Sequence, residues 1–272
     1  MLKLAVIQLR TPATPTAALA HAAPLVRQAA KAGAKLVITP EATNLLERHR
    51  ARLIFQLVGE EDDEVVVGLR DLARELSIWL VIGSALVKRE DGKAANRSFL
   101  IAPDGKIAAT YDKMHMFDVD LPTGERHRES AVYEPGVRAV IAKAARATLG
   151  LTICYDLRFP SLYSILARSG AQIFTVPSAF TRPTGEAHWE VLLRARAIEN
   201  GAFVAAAAQG GVHEDGRSTW GRSMIVGPWG KIIARAEDDE PAVILANIDL
   251  AEVAKARSAI PSLENARPFV GP

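Results

Sequence analysis

The segment GLTICYDLRFPSLY, residues 150–163, contains Cys154, the only cysteine among the 272 residues. An apolar run ends at this cysteine, and Pro160 favours the first turn of a following helix. The pattern predicts that Cys154 lies at the carboxyl end of a strand, where open sheets bind ligands. A buried cysteine is most often a small hydrophobic residue, but a thiol beside exposed backbone N–H groups can have a lowered pKa and act as a nucleophile. Both interpretations stay open on this segment alone.

Two charged residues, like Cys154, lie next to apolar residues. Glu41 follows the apolar run KLVIT and Pro40, and Lys113 lies among the apolar residues of YDKMHMF. A glutamate can simply favour a helix N-terminus, but a predicted capping box at Asn44 and Glu47 already supplies that role. Partly desolvated, Glu41 would have the raised pKa of a general base. Lysine is usually a solvated surface residue, although beside a thiolate it would stabilise both the thiolate and a developing oxyanion.

Other kinds of catalytic site are disfavoured. The chain lacks the G-x-S-x-G, P-loop, G-x-G-x-x-G and H-E-x-x-H patterns. Its six histidines do not fall at metal-ligand spacings, and one cysteine cannot build a thiolate cage. We therefore expect a site that uses neither a cofactor nor a metal.

Charge and hydropathy exclude several partners. The formal net charge is +2, with both signs scattered along the chain, which predicts no nucleic-acid binding. No apolar run approaches the ~18 residues of a membrane helix, and MLKLAVIQLR resembles a strand more than a signal peptide. A single cysteine gives no sign of an oxidising compartment. The expectation is a cytoplasmic protein without a membrane partner.

Short apolar runs alternate with helical patterns along the whole chain, without a linker or a repeat, which predicts a single domain over residues 1–272. The predicted strands cover residues 4–9, 35–39, 78–87, 97–102, 137–141, 147–154, 173–176, 202–208, 223–226, 231–236 and 243–249, and the predicted helices residues 16–32, 44–57, 64–76, 161–169, 187–200 and 251–258. Met114–Gly136 has no clear period and is predicted to be a long functional loop. Such a mixture suits two sheets packed face to face, with helices outside.

Three separated motifs, TPEAT, YDKMHMFD and CYDLRFP, resemble those of the nitrilase superfamily of carbon–nitrogen hydrolases, in the same order. The resemblance extends from AVIQLR to IPSLENARPF and implies a catalytic triad of Glu41, Lys113 and Cys154. RESAVYEPG resembles the family stretch with a second glutamate, here Glu129. The implied fold is an α+β, four-layer αββα sandwich of two mixed sheets. In that context the nucleophilic interpretation of Cys154 is favoured.

A narrower resemblance to the Nit branch rests on CYDLRFP, PSAF, TGEAHWEVLLRARAIEN, AAAQ and PWG. It implies a thiol amidase that forms a Cys thioester, cleaves a small keto-acid amide such as deaminated glutathione, and releases an acid and ammonia. The expected partners are this amide and water, in a homodimer or larger homo-oligomer. An ω-amidase acting on α-ketoglutaramate or a carbamoyl-amine hydrolase is the alternative, followed by a non-catalytic binding module and a serine esterase. Arg222 and Gly227 depart from the branch, which usually has His and Asp there.

The resemblance also implies substrate-binding residues. The Tyr155 backbone N–H would stabilise the oxyanion, Arg158 would bind a substrate carboxylate, and Phe180 and Thr184 would contact substrate. Arg158 could instead form an ion pair with Asp156 or Glu190. Whether His188 packs in the core or lines the pocket stays open.

Overall fold

The structure is a computed structural model that describes residues 1–121 and 124–271; Pro122 and Thr123 of the predicted loop, and Pro272, lie outside these ranges. The strands are, in chain order, β1 (Leu2–Gln8), β2 (Leu36–Ile38), β3 (Trp79–Lys88), β4 (Ala94–Ile101), β5 (Ile107–Asp112), β6 (Asp118–Asp120), β7 (Arg126–Arg128), β8 (Val140–Ala144), β9 (Ala147–Leu151), β10 (Ile173–Thr175), β11 (Phe203–Ala206), β12 (Gly210–Val212), β13 (Ser218–Trp220), β14 (Met224–Val226), β15 (Ile232–Arg235) and β16 (Ala242–Ile248). The α-helices are α1 (Pro15–Lys31), α2 (Arg50–Gln56), α3 (Glu64–Leu76), α4 (Pro160–Arg168), α5 (Arg182–Asn200), α6 (Ala251–Ala259) and α7 (Ser262–Asn265). Short 3₁₀ turns cover Glu129–Ala131 and Cys154–Arg158.

Twelve of these strands form two mixed sheets of six. The first has the order β16-β1-β2-β3-β4-β5, and the second has the order β15-β14-β11-β10-β9-β8. In each sheet three parallel strands, β1-β2-β3 or β9-β10-β11, lie between antiparallel neighbours. The units β1-α1-β2-α3-β3-β4-β5 and β9-α4-β10-α5-β11-β14-β15 therefore share one topology, a duplication that the sequence does not reveal.

The side chains of each strand alternate between two cores, as the two-residue period of a strand requires. In β1, Leu4 and Val6 pack in the core between the two sheets, whereas Ala5 and Ile7 pack against α1 and α3. Residues of α4 and α5 extend the inter-sheet core on the far side of the second sheet. The layers are therefore helix, sheet, sheet and helix, and the predicted αββα sandwich is confirmed.

The strand ends of the two sheets meet at one rim. The Leu9 N–H, just after β1, donates to the Ala208 carbonyl, and the Gly210 N–H donates back to the Leu9 carbonyl. Ser178, which follows β10, bridges to the same segment at Ala208. Loops that leave the parallel strands of both sheets are consequently neighbours, and these loops carry the candidate site residues.

One local prediction is wrong. Asn44 and Glu47 do not form a capping box, because the helix here begins only at Arg50. The Asn44 amide instead donates to the Leu86 carbonyl and accepts from the Leu86 N–H, both at 2.9 Å. Glu47 accepts from Arg52 Nε at 2.7 Å. The long-range contact to β3 satisfies Asn44 and keeps residues 39–49 out of a helix.

Other elements differ from the sequence prediction in extent. The predicted loop Met114–Gly136 contains the β6–β7 hairpin and the 3₁₀ turn at Glu129. Helix α5 begins five residues before the predicted start, with a proline in its first turn. Strands β5, β12 and β13 were not predicted. Among the described residues, no helix is long and apolar enough to cross a membrane.

Candidate active site

Three charged or nucleophilic residues meet at the rim where the sheets join. Glu41 follows β2, Lys113 follows β5 of the same sheet, and Cys154 follows β9 of the other sheet. Each is at least nine-tenths buried, with exposures of 6%, 2% and 8%. Lys113 Nζ lies 2.9 Å from Glu41 Oε1, and both charges influence the pKa of the Cys154 thiol. The structure therefore brings the predicted triad together.

Both oxygens of the Glu41 carboxylate are held by hydrogen bonds. Oε1 accepts from Lys113 Nζ and from Asn96 Nδ2, each at 2.9 Å. Oε2 accepts from the Ala179 N–H at 2.9 Å, and the Glu41 carbonyl accepts from Gln209 Nε2 at 2.8 Å. These bonds come from both sheets and fix the carboxylate in one orientation.

Glu129 anchors the ammonium group of Lys113. Lys113 Nζ lies 2.8 Å from both Oε1 and Oε2 of Glu129. Glu129 also accepts from the Phe117 N–H at 2.7 Å and from Asn96 Nδ2 at 3.2 Å. A buried lysine needs such compensation because an unpaired buried charge is strongly unfavourable. The predicted second glutamate thus lies in the cluster and contacts Lys113.

Cys154 adopts a left-handed backbone conformation with φ of 48°. For a residue other than glycine this costs roughly 1–2 kcal/mol, and such strain concentrates at functional sites. The Cys154 N–H donates to the Pro177 carbonyl at 2.8 Å, which holds the turn against the neighbouring strand end. Within residues 1–121 and 124–271, nothing accepts a hydrogen bond from the next N–H, that of Tyr155. This donor is free for a ligand at the predicted oxyanion position.

The ionisation states differ from the sequence expectation. Burial and the charge of Glu41 raise the pKa of the Cys154 thiol well above its ordinary value, against the opposing charge of Lys113. Burial alone would raise the pKa of Glu41, but the Lys113 charge and hydrogen bonds from Cys154, Lys113 and Asn96 lower it overall. Burial disfavours the Lys113 ammonium, yet Glu129 and Glu41 raise its pKa. The predicted raised pKa of Glu41 and lowered pKa of Cys154 are therefore both wrong. These pKa directions give a resting site with a neutral Cys154 thiol, a Glu41 carboxylate and a Lys113 ammonium.

Arg158 lies next to Phe180 and His188. Its guanidinium is 5.4 Å from the centroid of the Phe180 ring, and both terminal nitrogens lie 3.3 Å from His188 Nδ1. In the described part of the chain, no carboxylate lies within 4.0 Å of this guanidinium, so the alternative ion pair with Asp156 or Glu190 does not form. Thr184 lies in the first turn of α5, and its Oγ1 is 2.8 Å from Thr181 Oγ1. Among the described residues, Thr184 and Arg158 are not hydrogen-bonded to each other.

Three polar residues of the site went unpredicted: Asn96, Asp156 and Gln209. All are buried, and Asn96 and Gln209 stand out as polar residues within or next to the apolar stretches AANRSFLI and FVAAAAQ. An amide residue within or next to an apolar stretch indicates a buried polar group with specific partners, because a buried amide must find hydrogen-bond partners. Asp156 lies within the CYDLRFP motif, and the family resemblance assigns it no role.

The two departures from the Nit pattern lie in or next to the β13–β14–β15 segment. The Arg222 guanidinium packs over the Trp220 ring at 5.4 Å, and the Arg222 carbonyl accepts from Trp189 Nε1 at 2.9 Å. At Gly227 an added Cβ would approach no closer than 3.4 Å to Ile233, so a larger residue fits there. Neither residue contacts the Glu41–Lys113–Glu129 cluster. Across the described ranges, no three His, Cys, Asp or Glu side chains are grouped as metal ligands.

Solved structures with the same architecture include an enzyme with an active-site cysteine. The Caenorhabditis elegans NitFhit protein superposes with a TM-score of 0.91 and 34% identity, covering 98% of this chain and 65% of that longer chain. An amidase from Nesterenkonia sp. AN1 has a TM-score of 0.79 and 26% identity, with 96% of this chain and 98% of that chain covered. The latter structure shows Michael addition of acrylamide at the active-site cysteine of that enzyme.

The sequence comparisons agree with this architecture. A deaminated glutathione amidase of Yersinia enterocolitica is 41% identical over 238 residues, which are 86% of this chain and 82% of that protein. An omega-amidase of Homo sapiens is 35% identical over 265 residues, or 97% of this chain and 95% of that protein. The profile of the carbon-nitrogen hydrolase family matches residues 3–258. The chain therefore belongs to the carbon–nitrogen hydrolase family and is a hydrolase of carbon–nitrogen bonds other than peptide bonds.

Proposed function

We propose that the protein is a thiol amidase that hydrolyses a small keto-acid amide, such as deaminated glutathione, through a thioester on Cys154. The observation that carries this proposal is the buried cluster in which Glu41 and Lys113 share a hydrogen bond of 2.9 Å beside the only cysteine. Covalent catalysis replaces one difficult amide hydrolysis by two easier steps. The name of the Yersinia enterocolitica relative supports the choice of substrate.

In the acylation step, the sulfur of Cys154 attacks the amide carbonyl carbon while Glu41 accepts the thiol proton. The carbonyl π electrons move to oxygen, and Lys113 and the free Tyr155 N–H stabilise the resulting oxyanion. Because the pKa of the resting thiol is raised and that of Glu41 lowered, proton transfer is favourable only together with attack. Collapse of the intermediate breaks the C–N bond, and Glu41 returns the proton to the leaving nitrogen.

In the deacylation step, water attacks the thioester carbonyl and Glu41 accepts its proton. The C–S bond breaks, the carboxylic acid leaves, and the thiol recovers its proton from Glu41. The expected release of ammonia holds only for a primary amide. Deaminated glutathione is a secondary amide, so cysteinylglycine leaves from it instead. Glu129 keeps Lys113 charged and in place during both steps. This chemistry uses no cofactor and no metal.

We propose that Arg158 binds the α-keto acid carboxylate of the substrate, against the ring of Phe180. The half-buried guanidinium lies against the His188 ring and the Phe180 face, and within the described ranges it pairs with no carboxylate, so its charge is available for a ligand. Thr184, in the first turn of α5, and Tyr155 complete the proposed binding residues. The same carboxylate is present in α-ketoglutaramate, so an ω-amidase is the second candidate, supported by the similarity to the Homo sapiens omega-amidase.

Product release from a panel of amides tests the proposed function. Deaminated glutathione, α-ketoglutaramate and a simple carbamoyl amine would be compared by their kcat/KM values. We expect the highest value for deaminated glutathione, measured as free amine and acid in equal amounts. A higher value for α-ketoglutaramate would favour the ω-amidase, and turnover of the carbamoyl amine alone would contradict both keto-acid proposals.

Arg158→Lys is expected to discriminate against charged substrates. Lysine cannot reproduce the two parallel hydrogen bonds of a guanidinium to a carboxylate. We expect KM for the keto-acid amide to rise and kcat/KM to fall by about 1.5–3 kcal/mol in free-energy terms, with a much smaller loss for a neutral amide. Arg194→Lys, in the same helix as His188 but paired with Glu190, is the control. Equal losses for both substrates would assign Arg158 a structural role.

The acid limb of kcat/KM is expected below pH 4.5, the ordinary pKa of a glutamate, because activity needs the Glu41 carboxylate and its pKa is lowered. Activity should disappear as the pH falls through this lowered value. Asn96→Leu removes a hydrogen bond that lowers the Glu41 pKa, so the limb should move to higher pH. Asn200→Leu changes a buried asparagine whose side-chain amide donates to the Arg196 carbonyl, outside the Glu41–Lys113–Glu129 cluster, and it should leave the limb in place. A uniform loss at every pH would contradict the assignment of Glu41.

We propose that residues 1–272 act as one domain in a cytoplasmic homodimer or larger homo-oligomer. The outer face of α5 and the adjacent β14–β15 turn expose Val191, Ile198 and Trp229, with exposures of 67%, 54% and 63%. Contiguous exposed apolar residues are typical of interfaces, and a second copy is the proposed occupant. A free catalytic thiol suits a reducing compartment. Light scattering of the purified protein would measure the oligomeric state.

A further inference from the structure

One buried carboxylate outside the Glu41–Lys113–Glu129 cluster has four hydrogen-bond donors. Asp156 is fully buried. Its Oδ2 accepts from the Tyr111 hydroxyl at 2.7 Å and from the Ile153 N–H at 2.8 Å. Its Oδ1 lies 2.7 Å from His115 Nδ1 and 3.2 Å from the His115 backbone nitrogen. The proposed mechanism assigns this residue no role.

These donors belong to two different arms of the site. Tyr111 and His115 are each two residues from Lys113, one before it on β5 and one after it. Ile153 lies between the end of β9 and Cys154, which it immediately precedes. Strand β5 is an edge strand of the first sheet, whereas β9 belongs to the second. The Asp156 side chain therefore links the segment that carries the ammonium to the turn that carries the thiol, across the boundary between the sheets.

Packing reinforces the same link. The imidazole of His115 stacks on Phe159, with centroids 3.5 Å apart and planes 8° from parallel. Phe159 directly follows the 3₁₀ turn of Cys154–Arg158, so His115 contacts this region twice. On the other side, the bond from Ile153 fixes the residue next to the strained φ of Cys154. Strained conformations persist only where their surroundings hold them.

Reaction rates are sensitive to such geometry. A displacement of about 1 Å between reacting groups can cost roughly 10²-fold in rate. Lys113 is also held by Glu41 and Glu129, but both of these contacts lie at its ammonium, and neither carboxylate is hydrogen-bonded to the backbone of residues 153–158. Glu41 links the thiol and the ammonium only at their side-chain ends. Among the described residues, the hydrogen bonds that join residues 111–115 to residues 153–158 are those of the Asp156 side chain.

We propose that Asp156 is a positioning residue that sets the separation between the Lys113 ammonium and the Cys154 sulfur. It contacts neither substrate nor the reacting atoms and acts through Tyr111, His115 and Ile153. The inference rests on the proposed function, since it assigns Asp156 to the geometry of the same thiol and ammonium.

The test compares two phenol hydroxyls. Tyr111→Phe removes one donor to Asp156 and keeps the ring. Tyr163→Phe is the matched control, because Tyr163 is equally buried and its hydroxyl lies 2.9 Å from Thr152 Oγ1, with no hydrogen bond to Asp156 among the described residues. Asp156→Asn is the stronger variant, and Tyr111→Phe keeps the test valid if that variant does not fold. For each purified variant we would measure kcat, KM, the melting temperature, and the rate of Cys154 alkylation by iodoacetamide as a function of pH.

Tyr111→Phe is expected to lower kcat by roughly 10-fold, with KM changed less than about twofold. The alkylation profile should move to higher pH, because a more distant ammonium stabilises the thiolate less. Asp156→Asn should change both quantities in the same direction, by about 10²-fold in kcat. Tyr163→Phe should lower the melting temperature by a similar amount but leave kcat and the alkylation profile unchanged.

Equal effects of Tyr111→Phe and Tyr163→Phe on kcat would overturn the proposal. So would a loss of thermal stability in Tyr111→Phe with no movement of the alkylation profile, since that is the result for a purely structural aspartate. Failure of the proposed function has a different signature: Cys154→Ala would then retain amide turnover, whatever the tyrosine variants do.

Discussion

Cys154→Ala is expected to abolish amide hydrolysis, with a loss on the order of 10⁴-fold or more in kcat, as for other enzymes that lose their nucleophile. No other cysteine exists to replace it. The fold should survive, because the variant loses one sulfur atom and keeps a Cβ at the same left-handed position. Turnover of deaminated glutathione, together with circular dichroism of the variant, checks both statements.

Cys154→Ser is a sharper companion variant. The hydroxyl has nearly the shape of the thiol but is a much weaker acid, and the lowered pKa of Glu41 makes this carboxylate a poor base for an alcohol. We therefore expect Cys154→Ser to be almost as inactive as Cys154→Ala. Activity of Cys154→Ala close to that of the wild type would exclude a thioester at this position, and high activity of Cys154→Ser would show that Glu41 is a sufficient base for an alcohol.

Glu41→Gln carries the second-largest expected effect, a loss of about 10²–10⁴-fold in kcat. Glutamine cannot accept the thiol proton or return it to the leaving nitrogen, so acylation itself should fail. Mass spectrometry of the variant mixed with substrate should accordingly detect no acyl-enzyme. Rapid thioester accumulation in Glu41→Gln would mean that another group is the base for acylation.

The chain provides a matched control for this variant. Glu47 is 7% exposed, close to the 6% of Glu41, and lies in the same segment between β2 and α2. It is paired with Arg52 and makes no contact with Lys113. Glu47→Gln also removes one buried carboxylate, and we expect it to retain most of the activity. A similar loss in both variants would indicate that the segment, not the Glu41 carboxylate, is what the reaction requires.

The sequence was most informative where chemistry coincides with a strand end. Apolar runs located β2 and β9, and with them Glu41 and Cys154, because a buried parallel strand leaves a strong local pattern. The Asn44–Glu47 pattern misled for the opposite reason. A capping box is a local preference, and the contacts of Asn44 with Leu86, 42 residues away, override it.

Residues that act through distant partners could not be predicted in this way. Asn96 reaches Glu41 across 55 residues, and Asp156 reaches Tyr111 across 45. The pKa directions failed for a related reason. Burial alone raises the pKa of Glu41, whereas Lys113 and Asn96, both distant in sequence, reverse the result. The strand order of the first sheet brings Glu41, Asn96 and Lys113 together. The packing of the two sheets brings Asp156 to Tyr111.

The acyl-enzyme is the most direct test of the central claim. Wild-type protein would be mixed with deaminated glutathione, quenched in acid during turnover, digested and examined by mass spectrometry. We predict an added α-ketoglutaryl group on the peptide that contains Cys154, lost on treatment with hydroxylamine as a thioester requires. An acyl group on any other residue, or steady turnover in an enzyme whose Cys154 has been fully alkylated, would contradict the mechanism.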